Sequence, residues 1–242
     1  MRRRFFVEKF DRQRAEMRGE AAEHLARVLR AEPGQVYELS DGEQVWLARI
    51  EKISRSHGKD AVIEFALAEQ IAVEESALRV TVLLSIVKFD RMEWCLEKAT
   101  ELGVTEIVPL AAARSEKALV LAAKKRAERW RKILVESAQQ SRRLRPASLT
   151  EIAKVEDAFA KTNASVKIIL SERADARPLR EILQGGSTKE ICIAIGPEGG
   201  WTDAESAVAA KNGFQEVSLG REILRTETAV IAALAVIRYA VA

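Results

Sequence analysis

From Val73 onward, short runs of aliphatic and β-branched residues alternate with stretches of helical period, and this alternation restricts the possible folds most. Strands are predicted at Leu78 to Val87, Glu106 to Leu110, Val166 to Leu170, Ile191 to Ile195 and Glu216 to Leu219. Helices are predicted between and after them, at Arg91 to Leu102, Ala118 to Gln140, Leu179 to Leu183, Asp203 to Lys211 and from Glu227 onward. Such alternation implies an α/β domain with a mostly parallel sheet. Before Val73 the texture differs. Phe5 to Val7, Gln35 to Leu39, Gln44 to Ile50 and Ala61 to Leu67 read as strands, separated by Pro33-Gly34, Asp41-Gly42 and His57-Gly58, with one helix from Arg18 to Leu29. That pattern predicts a small β-barrel in which Asp41-Gly42 closes a hairpin, followed by a linker from Ile71 to Ser76.

The apolar content of 48% over 242 residues is enough to fill a sizeable core. The formal charge is only +3, so any nucleic-acid role must come from local clustering of basic residues. Cys95 and Cys192 lie in apolar segments without CxxC spacing, which predicts reduced core thiols rather than a disulfide or a metal site. Met1 to Val7 begins with basic residues but lacks a sustained apolar stretch and a cleavage site, and no segment reaches membrane-spanning length. A cytoplasmic protein is expected. Ala229 to Ile237 is apolar nearly all round, which predicts burial within the domain or between two subunits.

Two loops carry the chemistry. The apolar run Ile191 to Ile195 stops in Gly196-Pro197-Glu198-Gly199-Gly200 and restarts as a helix at Thr202, with Asp203 and Glu205 in its first turn. Glycines let backbone approach a ligand closely, and a helix start offers unpaired N–H groups. The spacing is neither GxGxxG nor a Walker loop, and Glu198 would repel a phosphate. A neutral or cationic ligand is expected, although a plain strand-to-helix turn with Glu198 solvated or capping would read the same way. The second loop, Leu219-Gly220-Arg221-Glu222-Ile223-Leu224-Arg225-Thr226-Glu227-Thr228-Ala229, follows another short strand. An N-cap at Thr226 or Thr228 would account for part of it, but not for Arg225 or Gly220. Together the two loops predict one binding site.

Lys124, Lys125, Arg126, Arg129, Arg131 and Lys132 crowd the long predicted helix against only Glu128 and Glu136, and Gln139 to Arg145 extends the basic run. Solvated helix faces usually mix signs, so this run suggests phosphate binding. Arg2, Arg3 and Arg4 with Arg27 and Arg30 would form a second positive patch. His24 has no Ser or Cys nucleophile to pair with, which leaves a hydrolase triad without support and a plain surface histidine as its simplest reading.

These residues resemble a known family. Gly196 to Gly200, Leu219-Gly220 and Ile223 to Ala229 are similar to the signature of the RsmE family, 16S ribosomal RNA uridine-N3 methyltransferases of the SPOUT superfamily. Arg4-Phe5-Phe6, His24 to Arg30, Gly34 and Asp41-Gly42 resemble its N-terminal PUA-like barrel. Lys98 to Val104, Arg114-Ser115, Arg129-Trp130 and Glu136 to Arg142 resemble motifs of its catalytic domain, while Trp201 stands where Phe is more usual. The resemblance implies a PUA-like RNA-binding β-barrel over residues 1–72 and a SPOUT α/β methyltransferase domain with a deep trefoil knot over residues 73–242.

It further implies S-adenosylmethionine as cofactor, held by Leu170, Ser171, Glu172, Gly196, Pro197, Glu198, Gly199, Gly200, Leu219, Gly220, Ile223, Leu224, Thr228 and Ala229. The target base must be unpaired and its N3 proton must leave as the nitrogen attacks; no metal is required. Arg225 is expected to steady negative charge on the pyrimidine carbonyls, with Glu198 or Glu227 as proton acceptor. RNA contacts are expected from Arg4, His24, Arg27, Arg30, Lys124, Lys125, Arg129, Lys132, Gln140 and Arg142. The implied partners are 16S ribosomal RNA in the small ribosomal subunit and a second copy of the chain, which would complete the RNA site. A non-catalytic RNA-binding protein, or a SPOUT enzyme acting on transfer RNA or a ribose 2′-hydroxyl, are the alternatives at this point.

Overall fold

The structure, a computed structural model, describes residues 3–55, 61–74, 76–173, 175–183 and 189–241. Arg2 and the His57-Gly58 turn lie outside the described residues. The chain divides into two compact units, one of residues 1–75 with 138–145 and the other of residues 76–137 with 146–242.

The first unit is a single sheet of β1 (Arg4–Phe6), β2 (Phe10–Asp11), β3 (Arg14–Met17), β4 (Val36–Ser40), β5 (Val45–Arg55) and β6 (Ala61–Ile71). Their order is β1-β4-β5-β6-β3-β2, antiparallel except for β1 with β4. Period-two burial is clearest in β6, where Ala61, Ile63 and Phe65 face the core. Register shifts at Leu47/Ala48 and Ile50/Lys52 bulge the long β5 and increase its bend and twist. The expected barrel is present as a half-barrel, since the outer strands β1 and β2 are not paired with each other among the described residues. Asp41 Oδ1 accepts from the N–H groups of Glu43 and Gln44 at 2.9 and 2.8 Å, fixing the predicted β4–β5 turn. The predicted Arg18 to Leu29 helix is α1 (Gly19–Glu23) running into a π-wound turn, His24–Val28, which sinks Leu25 and Ala26 into the core. The β2–β3 hairpin is absent from the sequence-based reading, because Asp11-Arg12-Gln13-Arg14 carries no apolar signal.

The second unit contains β7 (Arg79–Ser85), α2 (Phe89–Glu101), β8 (Glu106–Ala111), α3 (Lys117–Ala123), α4 (Ala127–Gln140, of which residues 138–140 belong to the first unit), β9 (Ser148–Leu149) and β10 (Ala153–Lys154). It continues with α5 (Val155–Lys161), β11 (Val166–Leu170), β12 (Arg177–Pro178), α6 (Leu179–Leu183), β13 (Glu190–Ile195), α7 (Asp203–Lys211), β14 (Gln215–Ser218) and α8 (Thr226–Val241). All pairings are parallel, in the order β10-β8-β7-β13-β11-β14-β12, with β9 beside β8. Both faces are covered, which explains the unbroken apolar run of β13. Ile191, Ile193 and Ile195 join a core with residues of α2, α4 and α8, while Cys192 and Ala194 join one with residues of α5 and α7. The single long helix expected from Ala118 is two helices, because a 3₁₀ turn at Lys124–Arg126 interrupts it and changes the phase between α3 and α4. Arg238 of α8 donates to the carbonyls of Leu102 and Gly103 at 2.8 and 2.7 Å, closing the end of α2.

Candidate active site

In a parallel sheet all strands end at one edge, so the loops after β11, β13 and β14 open on the same side of the second unit. Local bonds shape each loop. Thr202 caps α7 by accepting the N–H of Glu205 at 3.2 Å, and Glu205 Oε2 accepts the N–H of Thr202 at 2.8 Å, a reciprocal cap. The same carboxylate is buried and its Oε1 accepts from the Ala113 N–H at 2.8 Å, tying the start of α7 to the segment after β8. Gly200 has φ +66° and its N–H donates to Pro197 at 2.8 Å, a turn that side chains disfavour. A Cβ on Gly196 would stand 3.2 Å from the Trp201 ring, whose Nε1 donates to the Leu170 carbonyl at 2.9 Å. Thr226 Oγ1 donates to the Gly196 carbonyl at 3.2 Å and Arg114 Nη1 to the Gly199 carbonyl at 2.7 Å. The Gly196 to Trp201 loop is thereby joined to the end of β11, to α8 and to the Arg114 segment.

Between these loops lies a cavity of about 410 Å³. That falls in the range of about 300–1,000 Å³ usual for small-molecule sites. Of the residues expected to hold a cofactor, Leu170, Ser171, Glu172, Gly196, Pro197, Glu198, Gly199, Gly200, Leu219, Gly220, Ile223, Leu224 and Ala229 line it. Thr228 does not; it is exposed, one position round the helix from Ala229, on a face turned away from the loops. Arg114, Trp201 and Thr226 also line the cavity, although the sequence reading gives them no ligand-holding role.

Of the three residues given catalytic roles, the structure brings only Glu198 into the cavity wall. Arg225 is exposed beside it, between the lining residues Leu224 and Thr226. Glu227 is buried under the start of α8, and its Oε2 has no hydrogen-bond partner among the described residues. Both carboxylates meet a residue that sequence reasoning missed. Arg91, on the first turn of α2, places Nη1 3.0 Å from Glu198 Oε1 and Nε 3.8 Å from Glu227 Oε1. Beneath them, burial first and then the charge of Glu227 push the Cys95 thiol up to about 12, with a smaller contribution from Glu198.

The basic residues differ in exposure and in their partners. Arg4, expected at an RNA surface, is instead buried: its Nε and Nη2 bond Glu38 Oε2 at 3.1 and 2.9 Å and its Nη1 donates to the Arg142 carbonyl. A guanidinium so enclosed is spent on holding the first unit together. Arg142 also approaches Glu38, at 3.8 Å, with its side chain still 38% exposed. His24, Arg27 and Arg30 are exposed on and just after the π-wound turn, Arg27 lying 3.7 Å from Glu23. Lys124 and Lys125 are exposed on the 3₁₀ turn, as are Lys132 and Gln140 on α4. Arg129 is exposed but engaged, with Nε and Nη2 each 2.7 Å from the carboxylate of Glu93 on α2, a pairing that raises its pKa. Arg126 lies 3.8 Å from the same carboxylate and 4.8 Å over the Phe89 ring. The one-signed helix of the sequence is therefore partly neutralised by a neighbouring helix. Among the described residues, no cluster of three or more His, Cys, Asp or Glu is placed to hold a metal ion, and no helix is long and apolar enough to cross a membrane.

Known proteins share this arrangement. A family described as "RNA methyltransferase domain" matches residues 74–238, and one described as "RNA methyltransferase PUA domain" matches residues 18–59. Ribosomal RNA small subunit methyltransferase E of Synechocystis is 36% identical over 218 residues, covering 88% of this chain and 68% of its own. The chain belongs to the ribosomal RNA small subunit methyltransferase E family. Another member, from Neisseria gonorrhoeae, has a crystal structure with bound S-adenosyl methionine; it superposes with a TM-score of 0.86 at 32% identity, covering 99% of this chain and 98% of that one. A methyltransferase from Legionella pneumophila, in complex with the same cofactor, superposes at 0.85 with 30% identity over 99% of this chain and 98% of that one. The structural likeness to these two proteins therefore spans both units of the chain.

Proposed function

We propose that this chain is an S-adenosylmethionine-dependent methyltransferase acting on N3 of a uridine in 16S ribosomal RNA of the small ribosomal subunit. The observation that carries the reading is the cavity built by the loops after β11, β13 and β14, with Glu198 in its wall. Its residues suit the cofactor. Four carboxylate residues in the wall, Glu172, Glu198, Asp203 and Glu222, against three arginines, Arg114, Arg173 and Arg221, favour a cationic ligand and disfavour a phosphate, and the close approach of Trp201 to Gly196 leaves no room for a larger residue in the loop. The loops at residues 170–172, 196–200 and 219–224 would hold it. Bound there, S-adenosylmethionine supplies a methyl group made transferable by a positive sulfur, leaving neutral S-adenosylhomocysteine.

The chain's own residues do the rest. Uridine N3 lies on the Watson–Crick edge, so the base must be unpaired and turned to the cavity, and its proton needs an acceptor. Glu198, which unlike Glu227 reaches the wall, takes that role, with Arg91 fixing its orientation. Arg225, exposed at the rim, pairs with the pyrimidine carbonyl oxygens as charge develops on them. His24, Arg27 and Arg30 in residues 1–72, and Lys124, Lys125, Lys132 and Gln140 in residues 73–242, hold the RNA. We read residues 73–242 as a trefoil knot in which α8 is threaded, in keeping with the burial of Val230, Ala233, Leu234 and Ile237 near the chain end. The protein acts in the cytoplasm as a homodimer. Supporting the pairing of two copies, α8 leaves Ala235, Val236 and Tyr239 exposed, the last by 91%, and Trp94 of the neighbouring α2 is 44% exposed.

Mass-spectrometric mapping of 16S RNA treated with protein and cofactor tests the reading. A 3-methyluridine is expected; a ribose methyl or no modification overturns it. Arg225→Ala should lower turnover by at least about 100-fold, the size of losing one stabiliser of developing charge. Calorimetry on the same variant should find cofactor affinity nearly intact.

A further inference from the structure

Arg91, Glu198 and Glu227 form a mixed-charge triad beside the cavity, one guanidinium against two carboxylates, with formal charge −1. We propose that this triad is a charge selector that makes the site prefer the cationic methyl donor to the neutral product left after transfer. The inference rests on the reading of the site as an S-adenosylmethionine site and adds roles for Arg91 and Glu227, neither of which lines the cavity.

Three observations support it. First, the triad is better shielded from solvent than the other charges nearby. The side chains of Arg91 and Glu227 are 26% and 12% exposed and only Glu198 reaches 42%. The remaining charged residues in the cavity wall, Arg114, Glu172, Arg173, Asp203, Arg221 and Glu222, are all exposed, so salt and water screen them more strongly. Second, the negative sign is felt in the protein: after burial, the charge of Glu227 and, less, that of Glu198 push the neighbouring Cys95 thiol upward. Third, Arg91 does not fully satisfy Glu227. The Nε–Oε1 distance is 3.8 Å and Oε2 is buried without a hydrogen-bond partner among the described residues. A buried carboxylate held this loosely stabilises a nearby cation more than one locked in a short bidentate pair. Donor and product differ by one positive charge at sulfur, so a net negative triad acts on one and not on the other.

The test measures dissociation constants of S-adenosylmethionine and S-adenosylhomocysteine by calorimetry on the full-length protein. Glu227→Gln brings the triad to zero and should lower the donor-to-product affinity ratio by roughly three- to tenfold, the size of one partly screened unit charge. Arg91→Met brings it to −2 and should raise the ratio, and both changes should shrink in high salt. Arg91→Lys keeps the charge and should keep the ratio even if both affinities fall, which separates charge from shape. Circular dichroism and thermal melting establish that each variant is folded; should Arg91→Met not fold, the Glu227→Gln and Arg91→Lys pair decides. Equal ratios in wild type and Glu227→Gln overturn the selector while leaving the function intact. Wild-type protein that binds neither compound overturns the function itself.

Discussion

Arg129 and Arg4 are both arginines in basic stretches, and in both the charge is matched by a carboxylate remote in sequence. Glu93 holds Arg129 through two 2.7 Å bonds, and Glu38 holds Arg4 in the interior. Lys124 and Lys125, by contrast, are exposed on the 3₁₀ turn with no ion pair among the described residues. Replacing both lysines by alanine should weaken RNA binding and flatten the plot of log affinity against log salt by about 0.7 for each single-strand phosphate that is no longer neutralised. Arg129→Ala should change that slope less, because the guanidinium is already neutralised by Glu93. Filter binding across a salt series checks this; a larger change from Arg129 than from the lysine pair would show that the Glu93 pairing opens on RNA.

At the scale of single elements, Glu205 binds loop and helix together. It closes the reciprocal cap on α7 and accepts the Ala113 N–H from a buried position. Glu205→Ala keeps the Thr202 cap on the residue 205 N–H but leaves the backbone donors of Thr202 and Ala113 unpaired, and should destabilise the protein by about 3 kcal/mol. Thr202→Ala loses only the cap, about 1 kcal/mol. Denaturant unfolding ranks the two; an equal effect would mean that the two bonds accepted by the Glu205 carboxylate are together worth no more than the Thr202 cap. Helix α2 was readable in the sequence by its helical period, β13 as an unbroken apolar run and α7 by the start signal at Thr202 with acidic residues in the first turn. So were most of the cavity residues, because glycine loops after apolar strands are a local signal. Helix α5 was missed although Val155, Ala158 and Phe159 bury at helical spacing. The break at Lys124–Arg126 was hidden because lysine and arginine favour an unbroken helix. The meeting of Arg91 with Glu198 spans 107 positions and is set by the sheet order, which no local pattern encodes.

For the molecule as a whole, the exposed apolar face of α8 sets the expected assembly. Light scattering should report a particle of twice the 26.9 kDa chain mass. Val236→Glu with Tyr239→Glu should halve it while leaving the circular dichroism unchanged; a dimer that survives both substitutions would place the contact elsewhere. One helix thus reaches both the cavity and the exposed apolar face. Its first turn supplies Thr226 and Ala229 to the cavity, while Val236 and Tyr239 near its other end stand on the uncovered face. If pairing of two copies shifts this rod, the donor is held with a different affinity in the pair than in the single copy. By thermodynamic reciprocity, the donor must then change the affinity of one copy for the other by the same factor.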